Sequence, residues 1–232
     1  MNKRDGLTPA HQMKHLHTGI MFALTAIALI TPVDSKAQQQ ADVLKFYVSR
    51  AQATFDSRDP LARAVKYTFI AKTVEWKLNR DGVVQSTDSV VNRFYYSFGE
   101  LDSSVTVQPA KHAINDIDLS IPNIFNDDYV YSFFPNDTGG ARLSLGFDSR
   151  SAESPLPTGI VVIDRTLYYV RALFMVYPMK KGYDRYSRIV ETSLEDGYVF
   201  PKEITVTAGK RGILFTDYYR RKTTISDLDI SR

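Results

Sequence analysis

The side chains capable of chemistry are few, and their spacing excludes more than it suggests. Four histidines occur in the 232 residues and no cysteine. Three of them, His11, His15 and His17, stand in a basic leader, which leaves His112 as the one histidine of the remaining chain. It sits in Ala110-Lys111-His112-Ala113, and no Gly-x-Ser-x-Gly elbow exists to supply a nucleophile for it. It reads as a surface or helix-end residue. There is no His-Glu-x-x-His, no phosphate loop and no Gly-x-Gly-x-x-Gly. Without cysteine, a disulfide framework, a zinc-thiolate site and a thiol nucleophile are excluded, as is the cysteine-linked anchor of a bacterial lipoprotein.

Carboxylates are the remaining reactive groups. Asp137-Thr138-Gly139 matches the triplet of aspartic proteases, but Pro135-Asn136 precedes it and a second glycine follows, which is turn chemistry. Asp116, Asp118, Asp127 and Asp128 offer oxygen ligands at a spacing that fits no calcium loop, so they read as solvated acids. A pair of carboxylates meeting in space, as in glycosidases, leaves no trace in sequence. The expectation is therefore no enzyme, no cofactor and no metal. Arg171 is different. It interrupts the strand Leu167–Tyr177, apolar on both faces, and must reach the edge, find a carboxylate or contact a polar head group.

The elements that position these groups follow from periodicity. Lys3, Arg4 and Lys14 precede the apolar run Ile20–Val33, and Ser35-Lys36-Ala37 closes it, as in a secretory signal peptide cut after Ala37. Fourteen apolar residues would span only about 21 Å of a roughly 30 Å hydrocarbon core, so the run is not a membrane span. The expected product is periplasmic or secreted, with one domain over residues 38–232 and a frayed start at Gln38–Gln40. Its net charge is about +1 after the leader is removed, which gives no case for nucleic acid.

Val43, Leu44, Tyr47, Val48, Ala51 and Phe55 recur at helical spacing and predict an amphipathic helix over 42–55. The period then becomes two. Val65, Tyr67 and Phe69 share one face and Val74, Trp76 and Leu78 the other, which predicts a bulge near Ala71. Asp81-Gly82 turns the chain into a return strand carrying Phe94 and Tyr96. Residues 99–158, broken by five prolines, read as irregular with a short strand at Leu143–Phe147. From Gly159 on, strands at Ile160–Asp164, Leu167–Tyr177, Tyr183–Leu194, Tyr198–Ala208 and Ile213–Ile225 form an antiparallel meander. Charge is uneven: residues 99–158 carry nine acids against three bases, and 165–222 twelve bases against six acids. The two segments either attract each other or leave a basic rim near Lys180, Lys181 and Arg220–Lys222 that faces anionic head groups.

A strand apolar on both faces needs cover on each side, and any uncovered part is a groove for an apolar ligand; a filled core is the alternative. The hairpin Tyr67–Phe98 and the run Gly159–Thr166, followed by Gly197-Tyr-Val-Phe-Pro201, resemble the lipoprotein-sorting carriers of the LolA/LolB-like superfamily. That resemblance implies an α+β fold, mainly antiparallel β: a curved incomplete β-barrel with a leading amphipathic helix and a helical or loop lid. It also implies a non-enzymatic carrier of a lipid or acylated protein, not membrane-spanning after cleavage. On that reading Tyr67, Phe69, Trp76, Phe94, Tyr96, Leu173 and Met175 line the apolar face, and Arg171 meets a head group. The rivals are an envelope structural module with a filled core and a protein partner, and a small outer-membrane barrel. Charges on both faces of Tyr183–Leu194 speak against the barrel.

Overall fold

The computed structural model describes residues 37–58, 66–114, 117–134, 140–151, 153–178, 180–212 and 216–231. The leader up to Lys36 and the Asp137-Thr138-Gly139 triplet lie outside them, as does Asp116. By its contacts the chain divides into Met1–Phe46 and Tyr47–Arg232. In the first unit residues 37–46 are helical, so Gln38–Gln40 are not frayed. In the second, residues 47–58 are helical, and Ala51 is fully buried among the sheet-bearing part. Tyr47 packs on Tyr168 and Phe55 on Phe125, each at 6.2 Å between ring centres.

Ten strands follow among the described residues, all antiparallel to their neighbours: β1 Lys66–Leu78, β2 Val84–Ser97, β3 Glu100–Gln108, β4 Tyr129–Phe133, β5 Arg142–Ser149, β6 Thr158–Asp164, β7 Val170–Tyr177, β8 Tyr183–Glu195, β9 Tyr198–Arg211 and β10 Thr216–Ser231. They form one sheet in the order β3-β2-β1-β10-β9-β8-β7-β6-β5-β4. The two edges are not paired with each other, so the sheet is an incomplete barrel. Three of the strands, β3, β4 and β5, come from the segment expected to be mostly irregular. β5 contains the short strand expected at Leu143–Phe147, whereas β3 and β4 were not expected: β4 has only five residues, and all of β3 is exposed.

The hairpin turn at Asp81-Gly82 forms as expected. Asn79 Oδ1 accepts the N–H groups of Asp81 and Val83, and Gly82 takes a φ of 84° that its missing Cβ permits. The expected bulge at Ala71 does not. β1 runs in unbroken register with β2 from Lys66↔Ser97 to Lys77↔Ser86, and the irregularity lies in β10, between the partners of Thr68 and Ile70. Asp227, with a φ of 51°, sits in that irregularity. At Gly159 the backbone of β7 comes so close that an added Cβ would lie 1.8 Å from the Phe174 carbonyl oxygen, so only glycine fits.

Because cross-strand partners point to the same side, register defines the inner face row by row. One row reads Leu173, Val190, Ile204, Thr223, Thr73 and Val90 from β7 to β2, every member buried. Val161 and Leu145 continue it into β6 and β5. In its centre the hydroxyls of Thr73 and Thr223 bond to each other at 2.9 Å, which settles the only polar groups the row contains.

Candidate functional site

Along the strands, the inner face changes character on either side of that row. Toward the start of β1 it is aromatic. Tyr67 stacks on Tyr96 at 4.9 Å, Phe69 on Phe94 at 5.4 Å, and Phe200 closes edge-on against Tyr67 at 5.1 Å. Ile225, Leu228 and Ile230 of β10 pack against this cluster. Pairing between β9 and β10 ends at Thr224↔Glu203, after which β10 continues with β1 and β9 with β8. The aromatic cluster fills the place where the two strands part. An apolar cavity of about 350 Å³ remains there, lined by Tyr67, Phe69, Phe94, Tyr96, Phe200 and, from outside the sheet, Phe55 and Leu119.

Toward the other end the next row reads Met175, Arg188, Val206, Arg221, Glu75 and Asp88. Charges on an inner face need partners, and each has one. Arg221 grips Glu75 through Nε at 3.1 Å and Nη2 at 2.6 Å. Arg188 is almost fully buried; its Nη2 donates to the carbonyls of Asp118 and Ser120 at 3.0 and 2.6 Å, and its Nη1 meets the Asp118 carboxylate at 3.1 Å. Beyond this row lies a second cavity, open and polar, of about 1180 Å³.

Arg188 and Asp88 hold the same piece of chain. Residues 109–114 and 117–128, between β3 and β4, lie along the inner face without regular structure. At one end Asp88 accepts the N–H of Lys111 at 3.0 Å on Oδ1, and the N–H of His112 at 2.6 Å on Oδ2. His112 Nδ1 lies 3.1 Å from the same oxygen. At the other end Arg188 holds Asp118 and Ser120. Partial burial alone would raise the Asp88 carboxyl, but the amides of Lys111, His112 and Ser89 outweigh it and bring it down to about 2. The segment is a strap. Ile117 and Asp118 line both cavities, so the strap lies where they meet.

The residues expected to line the apolar face divide three ways. Tyr67, Phe69, Phe94 and Tyr96 line the apolar cavity. Leu173 and Met175 point to the same face, but they are fully buried in the core and border neither cavity. Trp76 points the other way, because β1 lacks the bulge that would have turned it inward; there it borders a shallow cleft with Leu78, Val84 and Arg220. Arg171 is bound to Asp164, with Nε at 2.9 Å and Nη2 at 2.6 Å from the same carboxylate oxygen. Asp164 also accepts the N–H groups of Thr166 and Leu167. Burial raises its carboxyl, but these donors and the Arg171 guanidinium leave it below the usual value. The pair therefore fastens the β6–β7 turn. His112 is exposed, as expected, and tied to Asp88.

Sequence reasoning missed Arg188, Glu75 and Asp88 as members of the site, and named Asp118 only among solvated acids and Arg221 only in a basic rim. Tyr186, Arg188 and Val190 alternate inward, so an arginine in an apolar series was the available signal; its acceptors are 68 and 70 residues away in an irregular stretch. Among the described residues, the Arg188–Asp118 pair is an instance of the attraction expected between the acidic and basic segments.

No family model matches the chain, and no curated protein does either. Solved structures do. A putative outer-membrane lipoprotein-sorting protein domain from Vibrio parahaemolyticus is similar over 79% of this chain and 92% of that one, at 12% identity and a TM-score of 0.41. A LolA superfamily protein from Nitrosomonas europaea is similar over 81% and 93%, at 7% identity and a TM-score of 0.36. A DUF1329 family protein from Desulfovibrio piger is similar over 79% and 91%, at 11% identity and a TM-score of 0.39.

Proposed function

We propose that this is an exported, non-enzymatic carrier that holds a lipid or the acyl chain of a lipidated protein against the inner face of its sheet. The observation that carries the reading is the apolar cavity of about 350 Å³ among Tyr67, Phe69, Phe94, Tyr96 and Phe200. Its size falls at the lower end of the roughly 300–1,000 Å³ typical of small-molecule sites. Its walls are mainly aromatic and aliphatic, with Asp118 the one carboxylate among the described lining residues. Such a site binds by burial. At about 0.8 kcal/mol per methylene, one acyl chain suffices for reversible capture. Leu119 packs against the aromatic cluster from the strap, so the strap supplies the cover that the resemblance implied.

The test is to express the full chain with export, purify it without detergent, extract it with organic solvent and measure lipid by mass spectrometry. Lipid near one per chain, or stoichiometric uptake of a fluorescent fatty acid that Leu119→Trp abolishes by filling the cavity, is the expected result. A clean protein that takes up no fatty acid removes the carrier reading. The envelope module would then stand, and β3 favours it as a second reading. Every residue of that edge strand is exposed, Leu101, Val105 and Val107 included, as an edge open to strand addition by a protein partner would be.

A further inference from the structure

The two turns of the β1–β2–β3 run both carry exposed apolar side chains, but their charged neighbours differ. At the β2–β3 turn Phe98 and Leu101 stand beside Glu100 and Asp102, so an anionic partner would be repelled there. At the β1–β2 turn Val83 is 61% exposed and Val84 52%. Next to them a cleft of about 140 Å³ is lined by Trp76, Leu78, Gly82, Val84 and Arg220. Trp76 and Arg220 are direct cross-strand partners between β1 and β10, so they share the outer face. Arg80 is exposed in the turn itself, and Lys77 on the strand that leads into it. Against these cations the turn holds one acid, Asp81; Asp217 stands across from Lys210, and Glu75 is held by Arg221. The hairpin tip thus joins apolar and aromatic surface to a surplus of positive charge.

The turn is also built to leave water. The N–H of Asn79 donates to the Val83 carbonyl at 2.9 Å, and that of Gly82 to the Asn79 carbonyl at 3.0 Å. Asn79 Oδ1 accepts the N–H groups of Asp81 and Val83 at 3.0 and 2.8 Å. Amides are costly to carry out of water unpaired, and these are already bonded within the turn. Tryptophan, with an apolar body and one N–H, settles at the head-group level of a bilayer, and arginines beside it match lipid phosphates. We propose that the β1–β2 hairpin tip is a docking surface for an anionic lipid bilayer, with Val83 and Val84 entering the interface and Arg80 and Arg220 on the phosphates. Trp76 lies on the face opposite the apolar cavity, so the docking surface stands without the carrier reading.

Trp76 is the single tryptophan of the chain, so its emission reports on this patch. The full chain, expressed with export, is mixed with phosphatidylcholine vesicles with and without phosphatidylglycerol. Vesicles containing phosphatidylglycerol should sediment the protein, shift Trp76 emission to the blue and quench it when their acyl chains are brominated; added salt should weaken all three. Val83→Ser combined with Val84→Ser should weaken binding about tenfold. Arg80→Gln combined with Arg220→Gln should weaken it about tenfold or more. Val107→Ser, at a comparably exposed valine of the β3 edge, should leave it within about twofold. Failure to sediment overturns the proposal, as does sedimentation that leaves Trp76 emission unchanged, because the protein then docks by another surface. Equal weakening by Val107→Ser and by the paired valine substitutions also overturns it. A protein that takes up fatty acid but ignores vesicles loses the docking surface and keeps the carrier; one that binds vesicles through the hairpin but takes up no fatty acid keeps the docking surface and loses the carrier.

Discussion

The two ends of the inner face are made by the same strands and the same alternation, yet they solve opposite problems. At the Tyr67 end the inward residues that cluster around Tyr67 and Phe69 are aromatic or aliphatic, and they meet by packing alone. At the Lys77 end charged and phenolic side chains stand among the inward residues, and each charge on the Arg188–Asp88 row is matched by a named partner. Between them runs a single buried row whose two hydroxyls satisfy each other. The difference teaches that one curved sheet can present an apolar floor and a polar floor in series. That is the arrangement an amphiphile requires, and it depends on where the strap is fastened.

The apolar end should be the more fragile to truncation. Phe69→Ala removes a ring stacked on Phe94 and within 6.2 Å of Tyr67, and should destabilise the protein by about 3–4 kcal/mol in urea unfolding. Trp76→Ala is the control on the opposite, half-buried face; it should cost about 1 kcal/mol and leave fatty-acid uptake unchanged. If the two substitutions weaken uptake equally, the assignment of faces is wrong.

The polar end should respond to loss of its buried arginine. Arg188→Met keeps an unbranched apolar side chain of similar reach but leaves the carbonyls of Asp118 and Ser120 without their donor. A loss of about 2–3 kcal/mol is expected. Asp118→Asn should cost under about 1 kcal/mol, since that carboxylate is half exposed and water can replace the arginine. A reversed order of the two would mean that the ion pair, not the pair of carbonyls, holds the strap.

The middle row gives a finer test. Thr73→Val or Thr223→Val each leaves a buried hydroxyl without a partner and should cost about 1–2 kcal/mol. The double substitution should cost less than the sum, by about 1 kcal/mol of coupling. Simple additivity would mean that the hydroxyls find other partners.

How much of this was legible follows the range of the interactions. The helix, the Asp81-Gly82 hairpin and the meander after Gly159 rest on local patterns, and they formed close to the expected bounds. Tyr67, Phe69, Phe94 and Tyr96 were found because their alternation is regular within one hairpin. Trp76 was misplaced because two stretches of β1, inward at Tyr67 and outward at Trp76, both look apolar from sequence; the only way to join them was an assumed bulge. Arg171 found a carboxylate seven residues away, within reach of a local reading. Arg188 found its acceptors in an irregular segment, where no periodicity announces which residue will arrive.

The smallest effect is confined to one end of the strap and is a matter of pH. Asp88 holds the amides of Lys111 and His112 as a carboxylate, with its folded-state pKa near 2 against an ordinary value of 3.8. A lowered pKa means the anion is stabilised by folding. Its contribution is therefore fully present above about pH 4 and is lost as pH falls through about 2. Because Asp118 and Ser120 are fastened separately by Arg188, protonation at Asp88 should free residues 111–114 without releasing the far end. In ¹⁵N spectra the Lys111 and His112 amides should titrate together near pH 2, while the Asp118 and Ser120 amides hold their positions. Asp88→Asn should abolish that titration and loosen one of the two amide bonds at neutral pH, because the carboxamide nitrogen donates where the carboxylate oxygen accepted. If all four amides move together, the strap opens as one piece and its two fastenings are a single cooperative latch.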